Sequence, residues 1–402
     1  MATLTSVITG SLKAQGLRAG CPPLSFNLRQ EGHSVSFISH PFNASVSGRR
    51  ALKRATGTSV TTSGRRTLVV CRGGGREADV GLCFGRMSSH VPTAPETLQL
   101  YKSTGISKMM LCQTDDKIIP LLQLLCKDKN ASSQLQVVLC IDFKDLSTLA
   151  YKENAKLWFD NYILPFQNVI SHVVVGDVIG YDAFSLSVFQ QATDNIRGLL
   201  PPATNIKLSF LANVRFLLGD AYYADTLPST ASLTEVSSNL LNYLATLYPP
   251  PASIPLFLQI MPFFISANPN RVQPIPLCNY LLQQNAPSYM SDGQYSYLQV
   301  YDAMLDGICC ALHGGRFGSV ENYVVSGWPT AGRPAAGDGI DPSIENAKTY
   351  NGNLAGHGVT PRGNIPSTNF IYSLVDEDKL GTPVEEFKHF GSFIPWKIMT
   401  FP

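Results

Sequence analysis

L-Q-V-V-L-C-I at 135–141 and S-H-V-V-V-G at 171–176 are apolar almost without a break. A strand with one face in water alternates apolar and polar residues, whereas a strand covered on both faces does not. These two runs therefore predict strands of a parallel sheet, buried between an inner core and an outer layer. Outward from them the same kind of run recurs, at 80–85, 107–112, 205–212, 255–261, 322–326 and 369–375. Segments of helical spacing lie between, among them 94–103, 232–247 and 298–312. Ser232, three residues before Glu235, predicts a capping box at the start of the second. Eight strands alternating with helices predict an α/β fold, a (β/α)8 or TIM barrel. A doubly wound open sheet is the alternative, but no G-x-G-x-x-G follows any of the strands.

Charge divides the chain unevenly. Of its 31 Lys and Arg, ten fall in residues 1–75, and of its 29 Asp and Glu only Glu31 does. The rest is net acidic, which argues against nucleic acid as a partner. The first 75 residues also hold eighteen Ser and Thr. Arg-rich, Ser-rich and acid-poor is the composition of an organelle transit peptide. The dominance of hydroxyl residues points to a plastid rather than a mitochondrion, over residues 1–72, with cleavage near Cys71. No apolar run reaches the roughly 18 residues that would span a bilayer, so no membrane is expected. Seven of the nine cysteines lie beyond residue 72, with no C-x-x-C and no zinc-like spacing. That pattern predicts reduced thiols and no metal site. No cofactor is expected.

In a barrel of this kind the reacting groups stand at the C-terminal ends of the strands. Those ends offer Asp115 and Asp116, Asp142, Asp177, Ser326 and Trp328, then Asp376, Glu377 and Asp378. Asp115 and Asp116 read as helix starters, and Asp142 as a polar loop residue. Trp328 suits either sugar stacking or a wedge in the core.

G-L-C-F-G-R-M-S-S-H-V-P-T-A-P-E-T-L-Q-L-Y-K-S-T-G-I (81–106), Y-D-A-M-L-D-G-I-C-C-A-L (301–312) and S-G-W-P-T-A-G (326–332) now come into view as a set. E-N-A-K-T-Y-N-G-N-L (345–354), D-E-D-K (376–379) and K-H-F-G-S-F (388–393) follow in order. Over residues 79–402 the chain resembles glycoside hydrolase family 17, the plant endo-β-1,3-glucanases. The resemblance implies the barrel independently of the strand pattern.

It also implies retaining hydrolysis by two glutamates, an acid after the fourth strand and a nucleophile at the end of the seventh, with carboxyls about 5–5.5 Å apart. The family's acid lies in V-G-N-E-V; residues 175–179 read V-G-D-V-I, which sets Val178 at the acid position and Asp177 at the neighbouring Asn. Its nucleophile lies in S-E-S-G-W-P; residues 324–329 read V-V-S-G-W-P, which sets Val325 at the nucleophile position. Neither valine can donate a proton or form a glycosyl ester. Glu377 and Lys379 match the cluster after the eighth strand. Phe387 replaces a further Glu, and Cys112 and Met261 replace aromatic residues of the cleft. The cleft candidates left by the resemblance are Trp328, Phe264, Glu377 and Lys379.

Two functions from different classes follow. One is a plastid-targeted β-1,3-glucanase-like protein without catalysis, binding a β-glucan or related glycan, or a protein partner. The other is an active glycoside hydrolase, of the endo-1,3-β-glucosidase type, that uses relocated carboxylates such as Asp177 and Glu377. A secreted, apoplastic protein is the alternative to the plastid. Adjacent strand residues point to opposite sides, which counts against Asp177, and Glu321 falls toward the far end of its strand.

Overall fold

The computed structural model describes residues 79–402 except 129–134, 178–184, 266–267, 269, 316, 318, 335–339, 383, 395–396 and 399–402. The expected leader over 1–72 and Val178 lie outside the described residues. The strands, in chain order, begin with β1 (Asp79–Phe84), β2 (Lys108–Leu111), β3 (Gln136–Ile141), β4 (Ile170–Asp177), β5 (Lys207–Asn213) and β6 (Ile254–Gln259). A short antiparallel hairpin, β7 (Met290–Asp292) and β8 (Tyr295–Tyr297), precedes β9 (Val320–Ser326) and β10 (Thr368–Ile371). Eight of these close into one parallel barrel in the order β1-β10-β9-β6-β5-β4-β3-β2. Helices run between the barrel strands, as the (β/α)8 reading requires.

The unbroken apolar runs have a direct cause. Along β3, Val137, Leu139 and Ile141 face the helical layer, while Val138 and Cys140 belong to a separate cluster inside the barrel. Both faces are covered, so both sets of positions are apolar. Phe257, Tyr323 and Phe370 fill the same interior, with Phe257 stacked on Tyr323 at 4.7 Å between ring centroids.

Two expectations shift. The predicted strand 369–375 stops at Ile371, because the chain then leaves the ladder: the Ser373 amide donates to Phe390 O and the Leu374 amide to Cys83 O. The predicted box at Ser232 gives way to Thr234, whose hydroxyl accepts from the Ser237 amide at 3.2 Å and donates to Phe216 O. Glu235 is thus the first helical residue rather than the third. A capping pair does form at the helix Ala94–Thr104, where Glu96 accepts from the Thr93 amide at 2.8 Å.

The run Y-D-A-M-L-D-G lies in the helix Val300–Gly314 and is buried throughout. Asp302 and Asp306, one turn apart, face the loop at 357–364. Asp302 meets His357 Nε2 at 2.7 Å, and Asp306 accepts from Tyr297 OH at 2.9 Å, Asn364 Nδ2 at 2.7 Å and the Arg362 amide at 3.1 Å. Tyr301 OH donates to Asn369 Oδ1 on β10. Gly307 is required because a Cβ there would lie 2.4 Å from the Tyr222 hydroxyl. This motif ties the loop at 357–364, Tyr297 and β10 to the helix.

His172 on β4 is 7% exposed, with its ring edge-on to Tyr323 and Phe257. Burial, reinforced by Lys207, pushes its pKa down to about 4. The folded state then holds fewer protons than the unfolded chain between that value and an unfolded pKa of about 6.5. Its stabilisation is complete above the unfolded value and disappears as pH falls toward about 4, a change on the order of 3 kcal/mol. His172→Phe keeps the aromatic packing and removes the titration. Urea unfolding at about pH 4.5 and pH 7.5 should show a smaller stability difference in the variant than in the parent; an unchanged difference would mean that another group sets the slope.

Candidate functional site

The C-terminal ends of the strands surround Val325, the last interior residue of β9. It pairs in register with Gln259 of β6 on one side and Phe370 of β10 on the other, and is 3% exposed. Above it lies a cavity of about 130 Å³. Four sulfur-bearing side chains wall it: Cys83 of β1, Met110 of β2, Cys112 just beyond β2, and Cys140 of β3. Leu211, Tyr372, Leu380 and Phe387 add to the apolar lining, with Gln113, Gln259 and Thr382 as polar members. Among the described residues no carboxylate lines it. Burial raises the Cys83 thiol well above the ordinary range, so it is held as a neutral group. Among the described residues, no group of three or more His, Cys, Asp or Glu is placed to hold a metal ion.

A second, more open pocket of about 370 Å³ adjoins the first, sharing Gln259 and Phe387 as walls. Asn213, Arg215 and Asp220 supply its polar side. Its apolar side includes Phe264, half-buried and stacked on Phe387 with centroids 4.3 Å apart. Phe264 is the predicted cleft residue that stands in a pocket.

The remaining candidates are placed as follows. Trp328 is fully buried: its ring meets Phe263 and Tyr350, and its Nε1–H donates to Asp341 O at 3.3 Å. It packs as the wedge in the core that was the second reading of this residue, with none of its surface exposed. Ser326 donates to Ile260 O and meets Tyr350 OH at 2.6 Å. Gly327 leaves room for Tyr372 O, which would lie 2.3 Å from a Cβ. Asp115 and Asp142 cap short 3-10 turns, accepting from the Lys117 and Lys144 amides, and Asp116 accepts from Tyr162 OH. Asp376 accepts from the Gly391 amide and Asp378 from the Ser89 amide. Lys379 is exposed, with its amide bonded to Met87 O. Glu321 pairs with Lys207 and Ser367 near the opposite end of the barrel.

Glu377 is different: an acid 1% exposed. Its carboxylate accepts from Tyr372 OH, from the Met87 amide at 3.2 Å and from Gln113 Nε2 at 3.2 Å. Gln113 is itself oriented by the Arg86 amide, which donates to its Oε1 at 2.7 Å. Burial raises the carboxyl pKa, while these donors pull it down. Asp177 closes β4 and pairs in register with Leu211, and its side chain lies outside the described residues. A register shift between Val174 and Asp177 sets three steps of β4 against two of β5. Simple alternation therefore cannot be counted through to Asp177.

The cavity escaped sequence reasoning although its signal was present, since Cys83, Cys112 and Cys140 sit at the ends of three successive strands. Only the register of those strands brings the sulfurs together.

The sequence model of the Glycosyl hydrolases family 17 matches residues 80–401. The glucan endo-1,3-beta-glucosidase basic isoform of Phaseolus vulgaris is 29% identical over 340 residues, covering 80% of this chain and 89% of that protein. A glucan endo-1,3-beta-glucosidase of Vitis vinifera is 29% identical over 329 residues, covering 79% and 88%. Among solved structures, a beta-1,3-glucanase and pollen allergen of Cryptomeria japonica superposes with a TM-score of 0.65 at 26% identity, covering 81% of this chain and 98% of its own.

A Cβ at Gly85 would stand 2.0 Å from the Glu377 carboxyl group. Gly85→Ala should therefore destabilise the fold by about 1–3 kcal/mol, as overpacked sites do. Combined with Glu377→Ala, it should cost less than the sum of the two single changes, because the clashing group is gone. Chemical denaturation of the four proteins checks this; strict additivity would mean that the contact carries no strain.

Proposed function

Because the chain belongs to the Glycosyl hydrolases family 17, we propose that it is a β-1,3-glucanase-like protein that binds a glycan without cutting it. The observation that carries this reading is the burial of Val325 among apolar walls, at the position that the resemblance assigns to the nucleophile. A valine has no lone pair for the anomeric carbon. Retaining hydrolysis also needs a second carboxyl about 5–5.5 Å from the first, and general acid catalysis alone contributes about 10²–10⁴-fold.

Glu377 is a poor substitute. Its carboxylate is enclosed and engaged by a hydroxyl, an amide side chain and a backbone amide, and those donors would have to be released before it could approach a sugar. Glycan binding has support in the outer pocket. The stacked Phe264 and Phe387 offer an aromatic surface, and Asn213, Arg215 and Asp220 supply hydrogen-bonding groups beside it. Apolar walls with a few convergent polar groups are the usual make-up of a ligand site. The ligand class is β-1,3-glucan, from the names of the relatives.

The purified protein should release no reducing ends from laminarin, yet bind it measurably by thermophoresis. The Val178→Glu, Val325→Glu double variant serves as the comparison, and activity gained only there would show a working glucan cleft. Turnover by the parent that disappears in Asp177→Asn or Glu377→Gln would sink the non-hydrolytic reading in favour of relocated carboxylates.

We also propose import into a plastid, carried by the Arg- and Ser-rich, acid-poor residues 1–72. A fluorescent protein fused behind residues 1–80 should accumulate in chloroplasts. Its appearance in the secretory pathway would instead favour an apoplastic or vacuolar protein.

A further inference from the structure

The inner cavity differs in kind from the pocket beside it. Its walls are sulfur, aliphatic carbon and aromatic ring. Cys83 Sγ and Met110 Sδ are 3.8 Å apart on adjacent strands, and Cys112 and Cys140 lie on the same wall. Polarisable sulfur makes favourable contacts with aromatic rings, and Tyr372 and Phe387 add aromatic rings to the lining. A pyranose would be badly served, because its hydroxyls need partners and those available are few. Tyr372 OH is engaged by Glu377, and Gln113 by Glu377 and the Arg86 amide. Thr382 Oγ1 accepts from the Val384 amide and keeps its own proton to donate. Gln259 offers an amide: its side chain makes no hydrogen bond to another described residue, and its place in the β6–β9 register sets it beside Val325. Buried polar groups without partners cost affinity, so one hydrogen-bonding group on a ligand fits and five do not.

Size narrows the choice further. Apolar cavities of about 150 Å³ stay free of water and admit benzene, and this one is about 130 Å³.

We propose that the cavity over Val325 is a binding site for a small uncharged monocyclic aromatic molecule carrying one hydroxyl, of the phenol class. The ring lies against the sulfur wall and the hydroxyl meets the Gln259 amide. The site rests on the same loss of sugar chemistry as the non-hydrolytic reading, but its readout is independent of any glucan assay.

Isothermal titration of the full chain with phenol, beside cyclohexanol and glucose, tests it. Phenol should bind saturably at one site per chain, more tightly than cyclohexanol, and glucose should not bind there. Val325→Phe fills the cavity and should weaken phenol at least about ten-fold while thermal unfolding stays cooperative. Gln259→Leu should cost about five-fold for phenol and leave toluene unchanged. If Val325→Phe does not fold, methyl-labelled methionine spectra of the parent decide instead. Phenol should move the Met110 methyl signal, assigned with Met110→Leu, by its ring current. No saturable binding, equal affinity in the filled variant, or a shift confined to other methionines would each overturn the site. A parent that cuts laminarin and still binds phenol defeats only the non-hydrolytic reading. A parent that does neither defeats only this one.

Discussion

A closed barrel of eight parallel strands must fill its interior with its own side chains, and in this one the filling stays mostly apolar from the centre up to the cavity at the mouth. Val138, Val174, Phe257, Tyr323 and Phe370 fill the middle, and Val325, Leu211, Cys83 and Cys140 continue the same cluster upward. A polar group at such a depth is tolerable only with hydrogen-bond partners, since leaving one unsatisfied costs about 1–3 kcal/mol. Once valine stands at 325, a neighbouring acid or hydroxyl loses a reason to be there. Cys112, Met261 and Phe387, in place of polar or sugar-facing residues implied by the resemblance, are what such a layer would select.

The same rule explains which motifs persist. Ser326 ties β9 to Ile260 O and Tyr350, Gly327 admits a backbone carbonyl, and Trp328 wedges between Phe263 and Tyr350. Asp302, Asp306 and Tyr301 hold the loop at 357–364 and the β10 residue Asn369. Every one of these polar atoms faces protein, not cleft. These family motifs thus carry contacts that assemble the barrel.

This division also decided what was legible beforehand. Strands covered on both faces announce themselves as unbroken apolar runs, so the barrel and its strand positions could be read with errors of a residue or two, except at the end of the last strand, which stops four residues early. Partnership across strands could not. The spacing of Ser232 to Glu235 reads as a capping box, and only the contacts of Thr234 with Phe216 O and Leu217 O show the cap two residues later. Trp328 reads as a sugar platform or a wedge until its neighbours are known. The depth of Glu377 and the convergence of four sulfurs on one cavity depend on closing β1 against both β2 and β10, which no local pattern contains. The bulge in β4 likewise undermines the alternation argument against Asp177.

The contrast between Glu377 and Val325 follows from where protein donors converge. An ionised carboxylate accepts only, through about four lone-pair sites, and the Met87 amide, Gln113 Nε2 and Tyr372 OH all donate to it. There the acid joins the first strand's loop to the last strand's: the Met87 amide and Gln113 reach Glu377, the Ser89 amide reaches Asp378, and the Lys379 amide returns to Met87 O. A glutamine would turn an NH₂ toward those donors and lose part of the seam. Glutamate at 377 thus has a structural reason to remain whether or not a sugar is ever bound. At 325 the situation is reversed, with Phe370 on one side, Gln259 on the other and sulfur and ring above. A carboxylate there would have one amide to meet and a desolvation cost to bear, so without a second acid and a sugar to use it, an apolar side chain is the lower-energy occupant.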